Sequence, residues 1–193
     1  MLKIKIILAS VREGRFGDKP AAWILEHAKK TPGVEVELLD LKEFPMPFFN
    51  DPVSPSMKKV PYTHPEVVRW TAKIAEADAF IVVTPEYNHG YPASLKNAMD
   101  WVYQEWNNKP VAFVAYGSVG GARSVEQLRQ VVVELQMVPI RNTVGITFDY
   151  MMKAFQDANV NPVELLKPLD DKAKGTIEQL LWWGNALQTA RGA

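Results

Sequence analysis

The sequence predicts an α/β domain in three layers, with a five-stranded parallel sheet between two sets of helices. Three observations carry this expectation. Apolar strand-like runs alternate with helix-period segments five times along the 193 residues. Two of the runs, AFIVVT at 79–84 and PVAFVAY at 110–116, carry almost no polar side chain, as strands covered on both faces require. These inner runs lead through short Gly- or Pro-containing loops into segments of helical spacing, which is the pattern of strand–helix–strand units.

The elements follow in order. Residues 4–9 are a β-branched apolar run ending at Ser10. Residues 20–30 place Ala21, Ile24, Leu25 and Ala28 at 3-4 spacing, with Pro20 in the first turn, and predict a helix. Residues 34–41 alternate apolar and acidic, as a strand with one more exposed face does. Prolines at 45, 47, 52, 55 and 61 make 44–62 a long irregular loop, a kind that is often functional. Helices are predicted at 65–76, 93–103, 124–136 and 176–187, and strands at 79–84, 110–116 and 138–144.

Five strands in this rhythm favour the flavodoxin-like order 2-1-3-4-5, with residues 1–193 as one domain. Ligands of such sheets bind beyond the carboxyl ends of the strands. Three loops lie there: 10–17, 85–91 and 117–121.

Composition narrows the function. Lys plus Arg and Asp plus Glu are both 22, so no global field favours nucleic acid or an anionic membrane. No cysteine is present, which removes disulfides, thiolate catalysis, iron–sulfur clusters and zinc–thiolate sites and agrees with a cytoplasmic protein. The three histidines show no H-E-x-x-H spacing, so a metal site is not expected. The first eight residues interleave Lys3 and Lys5 with apolar ones and read as a strand rather than a signal peptide. No apolar stretch approaches the roughly 20 residues of a membrane span.

The first loop links a strand to a helix N-terminus, where free amides and the helix dipole favour an anion. Ser10 offers a hydroxyl, Arg12 and Arg15 offer charge-assisted donors, and Asp18 is positioned to cap the helix. Only Gly14 and Gly17 are present, so this is not a dinucleotide G-x-G-x-x-G loop, and no Walker sequence occurs. A monophosphate fits better. In the second loop, Tyr87 gives a flat apolar face and Asn88 gives donors and an acceptor, which suits a planar heterocycle with polar edges; the same residues also make ordinary turn chemistry. The third loop, Tyr116-Gly117-Ser118-Val119-Gly120-Gly121, lacks the first glycine of a nucleophile elbow. A Ser-His-Asp hydrolase is therefore disfavoured, and the glycines are expected to let backbone approach a flat ligand.

Ala9-Ser10-Val11-Arg12-Glu13-Gly14-Arg15, then the run from Pro85-Glu86-Tyr87-Asn88-His89-Gly90-Tyr91-Pro92 through Asp100-Trp101, then the third loop together resemble the NADPH-dependent FMN reductase family of quinone, chromate and azo-dye reductases. The likeness runs from about residue 3 to residue 144. It departs from the family pattern in two places: Ala9-Ser10 stands where many relatives have Gly-Ser, and Phe16-Gly17-Asp18 stands where many have a small hydroxyl or amide residue.

The resemblance implies bound FMN, with NADPH or NADH as co-substrate. Ser10, Arg12 and the amides of Arg15, Phe16 and Gly17 would hold the phosphate. Pro85, Glu86, Tyr87 and Asn88 would line the ring and bond its polar edge. Gly117, Ser118, Gly120 and Gly121 would close its other side. Hydride would pass to flavin N5 and then, in a ping-pong cycle, to a small acceptor such as a quinone, free flavin, azo compound or chromate. No protein acid, base or nucleophile is required. The competing readings are an electron-transfer flavodoxin and a flavin-bound regulatory protein; neutral net charge and the long 44–62 loop favour the reductase. A homodimer, or a dimer of dimers, is expected around an apolar patch formed by Trp70, Trp101 and Trp106 with Leu95, Met99, Val102 and Tyr103.

Overall fold

The computed structural model describes residues 1–192. Five parallel strands, β1 (Leu2–Leu8), β2 (Val34–Asp40), β3 (Ala79–Pro85), β4 (Pro110–Tyr116) and β5 (Val138–Ile146), form one sheet in the order β2-β1-β3-β4-β5. This is the order expected from the sequence. Register is continuous across the centre: Ile4 lies opposite both Val36 of β2 and Ala79 of β3.

The period of two decides which side chains meet which layer. Ile4, Ile6 and Leu8 of β1, Ile81 and Val83 of β3, and Val114 and Tyr116 of β4 face one core. It is covered by α1 (Asp18–Lys29), α5 (Phe148–Gln156), α6 (Pro162–Leu166) and α7 (Asp170–Arg191). Ile7, Phe80, Val82, Val111 and Phe113 face the other core, under α2 (Pro65–Glu76), α3 (Ala93–Asp100) and α4 (Ala122–Glu134). Helices on both sides of the sheet account for the wholly buried β3 and β4.

Several expectations change. Helices α5 and α6 lie in a stretch for which no element was predicted, and α7 begins at Asp170 rather than 176. The helix expected over 93–103 ends at Asp100, and a short 3-10 turn at Gln104–Trp106 follows. The tryptophan patch is not a surface. Trp70 is 0% exposed, Trp101 4% and Trp106 1%, and all three lie in the second core. Trp70 donates to the carbonyl of Ala98 at 2.8 Å and Trp101 to that of Pro47 at 2.8 Å. The apolar excess after the second loop is thus consumed by the 44–62 loop, which α3 pins from below: Asn97 accepts from the amide of Phe49 and donates to the carbonyl of Pro47.

Candidate active site

The carboxyl ends of β1, β3 and β4 bring the three loops together. Ser10 is fully buried just beyond β1, and its hydroxyl lies 2.7 Å from the phenol of Tyr87. Arg12 is exposed, with its guanidinium 5.6 Å from the centre of the Tyr87 ring, and it forms no ion pair among the described residues. Its charge is free for a ligand.

Arg15 behaves differently. Its side chain is 6% exposed and turned inward. It grips Asp40 at the end of β2 with two nitrogens, donates to the carbonyl of Ser10 at 2.5 Å, and donates to Asp18 at 2.9 Å. The guanidinium expected to face an anion is therefore used within the protein, and only the amide of Arg15 is left for one. Burial opposes ionisation of Asp40, but the hydrogen bonds from Arg15 and the Lys42 amide, together with the two positive charges, outweigh it and hold the carboxyl below its ordinary range.

Asp18 does not cap α1. Gly17 occupies the cap position, no side chain accepts there, and Asp18 instead lies inside the first turn, where it meets Arg15. Within that turn Pro20 has no N–H and the Lys19 amide donates to the Phe16 carbonyl at 3.0 Å, so the amides left without an acceptor among the described residues are those of residues 15–18, which an anion completes. Gly17 is required by close packing: a Cβ there would lie 2.6 Å from the Tyr116 hydroxyl and 2.9 Å from Leu8.

In the second loop, Tyr87 and Gly90 exchange two backbone hydrogen bonds, of 2.8 and 2.9 Å. Asn88 and His89 between them have φ of 51° and 66°. Two left-handed residues in a two-residue turn form the twisted hairpin turn that suits Asn at its first position. Asn88 and His89 are consequently exposed at the tip. The carboxylate of Glu86, 6% exposed, accepts from the amide and the guanidinium of Arg123 at 3.0 and 2.7 Å, tying this loop to the start of α4.

The third loop corrects the expectation for its glycines. A Cβ on Gly121 would meet Ala115 at 2.6 Å and the Tyr116 amide at 2.8 Å, and one on Gly120 would meet Gly145 at 3.2 Å. Both residues have positive φ, of 72° and 70°. Protein packing, not approach to a ligand, demands glycine at these two positions. Gly117 does border the cleft, while Ser118 is exposed.

The cleft of about 90 Å3 between the loops is lined by Arg12, Gly14, Arg15 and Phe16 from the first, Pro85, Glu86 and Tyr87 from the second, and Tyr116 and Gly117 from the third. Met151 and Phe155 of α5 add an apolar wall that sequence reasoning missed. Their 3-4 spacing was visible, but nothing in it indicated that α5 would reach back over the first loop. Phe16 packs edge-on against Tyr116, with ring centres 5.2 Å apart. The Tyr116 hydroxyl is buried without a hydrogen-bond partner among the described residues, and burial pushes its pKa up, so it stays a neutral donor. An uncapped helix start, a free arginine and an unpartnered phenol, set between flat aromatic faces, fit the phosphate and polar edge of a flavin mononucleotide.

The model of the NADPH-dependent FMN reductase family matches residues 2–150. The chain belongs to this family. A NAD(P)H-dependent FMN reductase of Schizosaccharomyces pombe is 37% identical over 180 residues, covering 92% of this chain and 90% of that one. An NADPH:quinone oxidoreductase of Arabidopsis thaliana is 30% identical over 192 residues, covering 94% and 89%. Among solved structures, the flavoenzyme NAD(P)H:(acceptor) oxidoreductase FerB of Paracoccus denitrificans superposes with a TM-score of 0.69 at 22% identity, over 93% of this chain and 97% of that chain, and shares the fold. This FMN reductase is accordingly an oxidoreductase that uses FMN and a reduced nicotinamide. Among the described residues, no helix is long and apolar enough to cross a membrane.

Proposed function

We propose that the protein carries hydride from NADPH or NADH to a small acceptor in two half-reactions at one site. Ser10, Arg12 and the amides of Arg15, Phe16 and Gly17 would hold the FMN phosphate. The backbone of 85–88 and Gly117 would flank the ring, with Tyr116 as a neutral donor. FMN, when bound there, would supply the redox chemistry that links nicotinamide oxidation to reduction of the acceptor. The chain contributes position and exclusion of water, the latter from Phe16, Met151 and Phe155. The single observation that carries this reading is the convergence of an uncapped helix start with an unpaired Arg12 on one cleft.

The acceptor is a quinone, free flavin, azo compound or chromate. Relatives named for quinone reduction, among them a 2-hydroxy-1,4-benzoquinone reductase of Burkholderia, favour a quinone. The cleft, at about 90 Å3, is smaller than a flavin, which favours a homodimer, or a dimer of dimers, in which a second subunit walls the nicotinamide side. A wide apolar groove of about 430 Å3 beside Val11, Phe44 and the 80% exposed Phe48 gives that subunit a surface to cover. Mass spectrometry of ligand released from the purified protein tests the cofactor, with FMN expected and FAD contradictory. Sedimentation of the loaded protein tests assembly; a fully active monomer of 21.7 kDa would remove the shared wall.

A further inference from the structure

We infer that Arg15 and Asp40 are positioning residues for the flavin phosphate: their part-buried pair fastens the first loop to the end of β2 and thereby sets how tightly phosphate is held. The inference rests on the first loop being the phosphate site.

Asp40 performs two tasks at once. One oxygen accepts from Arg15 at 2.7 Å and the other closes the second arm of the fork. The first oxygen also accepts the amide of Lys42 at 2.9 Å, capping the 3-10 turn at Leu41–Glu43 from which the 44–62 loop departs. Arg15 in turn reaches the carbonyl of Ser10 and the carboxylate of Asp18. A single buried guanidinium therefore joins the exit of β1, the end of β2 and the first turn of α1. These are the segments that present Ser10, Arg12 and the amides of Arg15, Phe16 and Gly17. Lysine could not replace it, because a point charge on a flexible stem cannot fork onto Asp40 while serving Ser10 and Asp18.

The charge distribution supports the same role. Arg15 sits between two carboxylates, so the cluster is formally −1 and offers a phosphate no attraction of its own. Its effect on an anion must run through geometry. Arg12 makes the contact, and Arg15 keeps Arg12 and Ser10 in place. A displacement of about 1 Å in such a loop is costly, because charge-assisted hydrogen bonds depend steeply on distance and angle.

The experiment compares FMN with riboflavin, which lacks the phosphate, by fluorescence titration of apoprotein. Asp40→Asn and Arg15→Lys are each expected to weaken FMN roughly tenfold and to leave riboflavin within about twofold. Equal losses for both ligands would make the pair merely structural, and unchanged FMN affinity in folded variants would likewise overturn the inference. Asp40→Asn leaves a buried arginine short of a partner and could fail to fold. Arg15→Lys keeps the charge and then decides alone. Arg12→Ala separates the two levels of the argument. If it weakens FMN while the pair variants do not, the positioning role falls and the phosphate site stands. If FMN and riboflavin bind equally well to the wild type, the phosphate site itself falls.

Discussion

The hydroxyls of Ser10 and Tyr87 lie 2.7 Å apart, although 77 residues separate them in the chain. This contact joins the loop after β1 to the loop after β3, the two loops proposed to hold the phosphate and the ring. Ser10 belongs to both jobs, because a hydroxyl accepts from one partner while donating to another. Tyr87→Phe removes only the link between loops, whereas Ser10→Ala also removes a phosphate donor. FMN affinity is expected to fall about two- to tenfold in Tyr87→Phe and further in Ser10→Ala, by titration of apoprotein. A larger loss in Tyr87→Phe would reverse these assignments.

Arg12 gives the direct test of the phosphate contact. A charge-assisted hydrogen bond is worth about 1.5–3 kcal/mol, so Arg12→Ala should weaken FMN roughly ten- to a hundredfold with thermal stability unchanged. Arg12 is exposed and makes no ion pair among the described residues, so the fold does not depend on it. Full affinity in this variant would transfer the phosphate to backbone amides.

Gly121→Ala should destabilise the protein by about 1–3 kcal/mol, because the new methyl meets backbone at 2.8 Å and φ is positive. Denaturant unfolding of the apoprotein measures it. The loss should be the same with and without a saturating flavin contribution, since the clash lies against β4 and not in the cleft.

A cluster at the sheet's edge sets an acid limit. Lys5, 5% exposed, donates to Glu37 and Glu76, and Lys73 donates to Glu37 at 2.7 Å. Burial raises the pKa of Glu37, but the bonds from Lys5 and Lys73 outweigh it, and the pKa is lowered. The bond from Lys5 lowers that of Glu76. Groups with depressed folded pKa values stabilise the native state above their ordinary value of 4.5, and that stability is lost as pH falls through the folded values. Glu37→Gln is expected to flatten the loss of stability below about pH 4.5, measured as denaturation midpoint against pH. An unchanged acid limb would place the acid sensitivity elsewhere.

The sheet was legible because β3 and β4 lack polar faces, and their alternate residues feed the two cores. The three loops were legible because strand ends and helix starts fix where ligands go. What failed has physical causes. Periodicity marks Trp70, Trp101 and Trp106 as apolar but does not say what covers them: the 44–62 loop covers Trp101 and reaches Trp70 through Phe44, and Trp106 packs on Trp70 and Phe80. Arg15 looked like a ligand residue because its partner, Asp40, lies 25 residues away on another strand. Gly120 and Gly121 looked ligand-facing because contacts to Ala115 and Gly145 depend on tertiary packing. Helix α5 carries Phe148, Met151, Met152 and Phe155 at helical spacing, but where that apolar face packs depends on tertiary contact with the first loop.

The central claim is that one cleft serves both nicotinamide and acceptor through bound FMN. Initial rates of NADPH and NADH oxidation by the FMN-loaded protein, at several fixed concentrations of a benzoquinone, test it most directly. The account predicts multiple turnovers and parallel double-reciprocal lines, because the two substrates use the site in succession. FMN-loaded protein that oxidises neither nicotinamide, or that gives intersecting lines, would contradict it.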